Sequence, residues 1–267
     1  SLGQLRDLPR AVELQTQFQQ LAEVSSLDEA RGLSLDAMLA AQAKHMSMPA
    51  KNFDFYSPTA GGAALPFDIL GDAAKSPLPL VLGSNHDEDR LWSAFDPAQA
   101  EYDEHDWARI SGEVFGERAA DARATYEKLR PEESPKQLIS SVRTDTSFRQ
   151  RAQRLAEQHA DHNNPTWMYW FTWATPAFGG VLGSCHALDV PFAFDNLSAP
   201  GTDMLTGDGA ERPGIAKRFA DEIAQFAKSS TPTWPAFNTT SRQTLEINTG
   251  FALLQDPERE IRLLFAE

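Results

Sequence analysis

The run Leu80-Val81-Leu82 constrains the fold most, because it is short, wholly apolar and entered from a Pro- and Gly-rich stretch over residues 57 to 79. An apolar run bounded by turn residues fits a strand buried on both faces of a sheet. Gly83 and the polar residues after it, Ser84 to Asp89, then stand at the strand's carboxyl end, where open α/β sheets place ligands and catalytic groups. A second segment, Thr166 to Thr175, alternates Trp167, Tyr169, Phe171 and Trp173 with Met168, Trp170 and Thr172. It reads as a strand with bulk on both faces. A third, shorter strand is expected at Leu245 to Ile247.

Between and around these runs the apolar residues recur at helical spacing. Helices are expected over residues 4–24, with Leu8, Val12, Leu14, Phe18, Leu21 and Val24 inward, and over 34–45, with Leu35, Met38, Leu39 and Ala43 inward and Ser34 as N-cap. Others are expected over 107–115, 118–129, 133–142, 147–162, 213–228 and 259–265. The helix at 213–228 sets Ile215, Phe219, Ile223 and Phe226 along one side. The forty residues after Thr175 are rich in Gly and Pro and surround His186, and long loops inside a domain are usually functional. No repeat or low-complexity tract interrupts the chain.

A net charge of −14 repels phosphate backbones and anionic headgroups, and the densest basic cluster, Arg143 to Arg154, is interleaved with polar and apolar residues. Binding to nucleic acid or to a membrane surface is therefore not expected, and no stretch reaches the eighteen or so apolar residues of a membrane span. The single cysteine, Cys185, excludes an internal disulfide framework and favours a reducing, cytoplasmic compartment. The sequons at Asn196 and Asn238 are of a kind that arises by chance. The opening Ser1-Leu-Gly-Gln, without an initiator Met or an apolar leader, reads as a cut within a longer gene product.

Glu88 and His186 both follow expected strands, in turns where a side chain can project into a cleft. In that order they suit the acid and base of a nucleophilic triad, in which a carboxylate fixes the imidazole and the imidazole takes the nucleophile's proton. Asp87 and Asp89 flank Glu88 and leave the acid open by one position. On pattern alone, a solvated acidic turn and a hydrogen-bonded loop histidine explain the same residues. No G-x-S-x-G elbow occurs anywhere. The nearest fragment, Gly32-Leu-Ser34-Leu-Asp36, lies between helices, and Ser34 reads as a cap there. Cys185 as a thiol nucleophile is disfavoured, since adjacent residues seldom point at one another. A metal site from His159, His162 and His186 lacks supporting spacing.

Several landmarks, in order, cover most of the chain and together resemble the C-terminal half of the type-B carboxylesterases, the family of cholinesterases and bacterial p-nitrobenzyl esterases. Leu82-Gly83-Ser-Asn-His-Asp-Glu88 is similar to the motif G-x-N-x-D-E-G, and His186-Ala-Leu-Asp189-Val-Pro-Phe192-Ala-Phe194 to H-G-x-E-(hydrophobic)-x-F-x-F. Thr144-Asp145-x-x-Phe148, the aromatic strand, and Phe219 through Trp234-Pro235 complete the set. The departures are Asp89 and Ala187 for Gly, and Asp189 for Glu.

The resemblance implies an α/β-hydrolase fold, with a central, mostly parallel sheet and helices on both faces, of which residues 1–267 form the C-terminal part. It implies Glu88 as triad acid and His186 as base, acyl-enzyme chemistry on a small ester, and no metal or cofactor. The family's nucleophile elbow and Gly-rich oxyanion loop lie upstream of the matching segment, so an N-terminal half, separate or cut away, is the expected partner. A neuroligin-like, catalytically silent binding module on the same fold is the alternative, and an unrelated stand-alone domain a third. Trp92 and Phe178 are the best pocket candidates and Phe95 a further one; Trp167, Trp170 and Trp173 serve at least equally as core.

Overall fold

Residues 5–48, 56–62, 65 and 68–266 are described by the computed structural model, in two compact units, Ser1–Ala73 and Ala74–Glu267. Helices of the first unit begin where a short polar side chain takes an orphan amide of the first turn. Asp7 caps Leu8–Leu21, Ser26 caps Leu27–Arg31, and Ser34 caps Leu35–Met46 by accepting from the Ala37 N–H (3.2 Å). Ser34 is thus committed to its helix. Leu14 is buried as expected, but the rest of the inward face differs: Leu8, Val12, Leu35, Leu39 and Ala43 are exposed, while Ala41 and His45 are buried. The spacing of Ala41 and His45 shows why, since i and i+4 share a face and the His45 ring meets Phe18 (5.9 Å) and Tyr56 (6.1 Å) edge-on.

The second unit holds a four-stranded sheet in the order β1 (Leu80–Asn85), β2 (Thr166–Phe171), β3 (Gln243–Ile247), β4 (Leu253–Gln255). The first three are parallel and β4 is antiparallel to β3. β1 runs three residues past its apolar core because Gly83 pairs with Tyr169. A Cβ at Gly83 would lie 2.4 Å from the Tyr169 carbonyl oxygen and 2.6 Å from its ring, so only glycine lets the strands close there. β2 stops at Phe171, short of the expected Thr175. Trp173 leaves the ladder and is buried, its indole N–H donating to Glu211 (2.8 Å). β4 was not foreseen, being three residues long.

Alternation along β2 distributes its bulk to opposite faces. Trp167, Tyr169 and Phe171 meet Phe226 and Phe219 of the helix Arg212–Ser229, with ring centroids 5.2–6.3 Å apart. The even positions serve the other side, where the Thr166 hydroxyl meets Nδ1 of His159 (2.7 Å) on the helix Gln150–Asp161, and Trp170 lies against His86 (5.1 Å) and under the Arg149 guanidinium (3.9 Å). Helices thus cover both faces. The remaining long helices are Glu104–Phe115, Ala119–Leu129 and Pro135–Thr144, the last closed by a reciprocal Ser134/Gln137 capping box. It does not end before the next helix as expected. A turn of π-helix, Asp145–Arg149, joins it to Gln150–Asp161, the Gln150 N–H reaching the Asp145 carbonyl. Short helices Asp189–Ala193 and Thr202–Thr206 occupy the stretch read as loop.

Candidate active site

The turn after β1 and the loop carrying His186 meet beyond the carboxyl ends of β1 and β2. Backbone bonds lace them together: the Asp87 N–H donates to the Ser184 carbonyl (2.9 Å) and the His186 N–H to the Glu88 carbonyl (3.2 Å). Gly183 (φ 56°) permits the approach, since a Cβ there would sit 2.4 Å from Asp87 Oδ2.

Each of the three consecutive acids has a different partner. Glu88 Oε2 accepts from Nδ1 of His186 at 2.6 Å, and its Oε1 accepts the Asn85 N–H (2.8 Å). Asp87 faces away from that pair, toward His86 (3.0 Å), Arg90 (3.2 Å) and the Ser184 N–H (2.9 Å). Burial alone would raise the Asp87 carboxyl, but the His86 and Arg90 charges outweigh it and hold the group well below the usual carboxylate range. Asp89 points to the helix Pro135–Thr144: its N–H donates to the Thr144 hydroxyl (3.0 Å), and burial raises its carboxyl.

An ionised carboxylate only accepts hydrogen bonds, so the short contact puts a proton on Nδ1, and in the neutral ring the lone pair is then on Nε2. Nε2 has no hydrogen-bond partner among the described residues, and the side chain is 40% exposed against 7% for Glu88. A buried acid therefore orients a histidine whose far nitrogen is open. Trp92 lies 4.9 Å from the imidazole and Phe148 5.2 Å, with the indole and Phe148 rings stacked at 6.2 Å.

Of the two pocket candidates, Trp92 is thus beside His186, while Phe178 makes its ring contact with Phe95 (5.2 Å). Trp167 and Trp170 are buried core residues because both faces of β2 are covered, and Trp173, beyond the end of the strand, is buried as well. Cys185 is fully buried, and burial pushes its thiol up to about 12, leaving too little thiolate for a nucleophile. Both nitrogens of His159 are taken, by Thr166 and the Ser76 carbonyl, and His162 is exposed at the helix end. Among the described residues no three His, Cys, Asp or Glu side chains gather as a metal requires, and no helix is long and apolar enough to cross a membrane. A cavity of about 320 Å³ lined by Asn163, Thr166, Phe237 and Asn238 opens at the amino end of β2, away from these groups.

Sequence reasoning missed two contributors. Phe148 was quoted only as a landmark before a helix; the π-turn that places it leaves no apolar period to read. Asn85, also quoted only within a motif, bonds to both sides of the junction: its side-chain amide donates to the Cys185 carbonyl (2.6 Å) and to Asp189 Oδ1 (3.3 Å).

Residues 5–262 match the family profile described as "Carboxylesterase family". The chain is 28% identical over 233 residues to the para-nitrobenzyl esterase of Bacillus subtilis (strain 168), covering 78% of this chain and 42% of that protein. To the phenmedipham hydrolase of Pseudarthrobacter oxydans it is 29% identical over 198 residues, 68% of this chain and 38% of the relative. The fold is similar to that of the carboxylesterase EST55 of Geobacillus stearothermophilus (TM-score 0.80, 23% identity, 98% of this chain and 56% of that one). It is also similar to that of a thermophilic pNB esterase (TM-score 0.73, 21% identity, 98% and 55%). The chain spans about half the length, or less, of the proteins it matches. With the fold of carboxylesterases and the family profile over nearly its whole length, the chain belongs to the carboxylesterase family.

Proposed function

We propose that Glu88 and His186 are the acid and base of a serine-type carboxylic-ester hydrolase, acting on a nucleophilic Ser in polypeptide beyond these residues. The observation that carries this reading is the 2.6 Å contact from Glu88 to Nδ1, with Nε2 open. In such a site Nε2 takes the Ser Oγ proton as Oγ attacks the ester carbonyl, and Glu88 stabilises the imidazolium. The imidazolium then protonates the departing alkoxide, leaving an acyl-enzyme. His186 next takes a proton from water, which attacks the acyl carbonyl, and returns it to Oγ. Trp92, with Phe148, offers an apolar wall beside the reacting centre, and Phe178 with Phe95 a second aromatic surface.

Both units belong, on this reading, to one α/β-hydrolase domain completed by an N-terminal half. The sheet order supports it: β1 ends the ladder, pairs only with β2 among the described residues, and offers an edge without charge, Pro or bulge. Natural sheets rarely leave such an edge unguarded. The first experiment is a fluorophosphonate probe on the purified preparation, with intact masses of every polypeptide. An adduct on a Ser outside residues 1–267 is the expected result, lost when His186→Ala is introduced. A preparation containing the full hydrolase domain that takes no label would overturn the enzyme reading in favour of a silent binding module.

A further inference from the structure

The structure assigns Asn85 a positioning role: a single side chain, anchored through Asp189 to Tyr169, that holds the acid turn and the histidine loop in register. This rests on the reading of Glu88 and His186 as the acid–base pair. Asn85 is the last residue of β1 and only 1% exposed. Its backbone N–H holds Glu88 Oε1 (2.8 Å), while its side-chain nitrogen reaches across to the Cys185 carbonyl (2.6 Å), one residue before His186. One residue thus grips both members of the pair, each at a point adjacent to the group that must be aligned.

The orientation of the amide follows from its surroundings. Its nitrogen faces two acceptors, the Cys185 carbonyl and Asp189 Oδ1; turned over, the oxygen would oppose both. Asp189 is in turn tied by its other oxygen to the Tyr169 hydroxyl (2.9 Å), and Tyr169 sits on β2 against Gly83 of β1. The chain of contacts therefore runs from the middle of the sheet, through Asp189 at the start of the helix that follows the histidine loop, to the end of β1. Asn85 Oδ1 is left buried with no partner among the described residues.

The test uses the full-length esterase, with rates normalised to active sites counted by a fluorophosphonate burst. Asn85→Ala removes both side-chain bonds and keeps the backbone one. It should lower kcat about 100-fold, the scale of a small misplacement of catalytic groups, with KM within about twofold. The far-downfield proton resonance expected of the short His186 Nδ1–H bond should move upfield or vanish. Tyr169→Phe, which removes only the distant hydroxyl, should shift both readouts in the same direction by less, and it decides the matter should Asn85→Ala not fold. Adding Asp189→Ala to Asn85→Ala should cost little more than Asn85→Ala alone. A kcat within about threefold of the parent, with the resonance in place, overturns the inference. Glu88→Gln and His186→Ala separate the two levels: if they abolish turnover while Asn85→Ala does not, only the positioning role fails, and if they too are active the acid–base reading fails with it.

Discussion

Ala187 holds a left-handed backbone (φ 63°) immediately after His186, where the motif it resembles has Gly. That conformation costs an L-residue roughly 1–2 kcal/mol, and glycine's greater freedom in the unfolded chain offsets part of the relief. Ala187→Gly should therefore stabilise by about 0.5–1 kcal/mol, read as a higher thermal midpoint. Gly183→Ala should do the opposite, by roughly 2 kcal/mol or more, because it adds a Cβ 2.4 Å from Asp87 Oδ2 at φ 56°. For the chemistry, Glu88→Gln should reduce kcat roughly 10⁴-fold and His186→Ala roughly 10⁶-fold, in steady-state ester hydrolysis by the full-length protein. At this scale the motifs around Glu88 and His186 were legible enough to single out two side chains that meet at 2.6 Å. The partner of each acid was not, since Asp87, Glu88 and Asp89 are alike in composition and diverge only through what the turn aims them at.

At the scale of elements, the helix Pro135–Thr144 matters beyond its own packing, because its Thr144 hydroxyl receives the N–H of Asp89, the residue after Glu88. Ser134→Ala, which removes its capping box, should destabilise by about 1 kcal/mol in chemical denaturation. Strands and long helices were readable from period and punctuation, with ends displaced by a few residues. The π-turn was not: the sequence there reads as a break between two helices, and the wide turn that joins them is held by Tyr126, whose hydroxyl donates to buried Asp145 (2.7 Å), and by Arg149 reaching the Pro257 carbonyl (2.7 Å). The inward faces of residues 8–21 and 35–46 were misread for a related reason. The leucines marked one side of each helix, but aromatic and imidazole rings made the contact between them.

Across the second unit, the turn after β1 is linked to the far end of the chain by a buried charge network. Asp87 pairs with Arg90, and Arg90 with Glu133; the Ser141 hydroxyl lies between Glu133 and Arg130, and Glu258 receives both Arg130 and Arg149. Burial would raise the Glu258 carboxyl, but the two guanidiniums outweigh it and hold it at about 2, against 4.5 for an unperturbed glutamate. A depressed carboxyl stabilises the fold fully above its unfolded value and ceases to do so as pH falls through its folded one. Glu258 should therefore contribute about 3 kcal/mol at neutral pH that disappears between roughly pH 4.5 and 2. Glu258→Gln should flatten that limb in denaturation midpoints measured against pH, and cost roughly 3–5 kcal/mol at pH 7 by leaving two buried arginines short of charge. No spacing rule connects Asp87 to Glu258, so this part of the molecule was invisible in the sequence. Its two ends also impose an order on biosynthesis. Arg130 and Arg149 are made 128 and 109 residues before Glu258, so until it follows neither guanidinium has that carboxylate. Closure of this network therefore waits on residue 258, whatever folds before it.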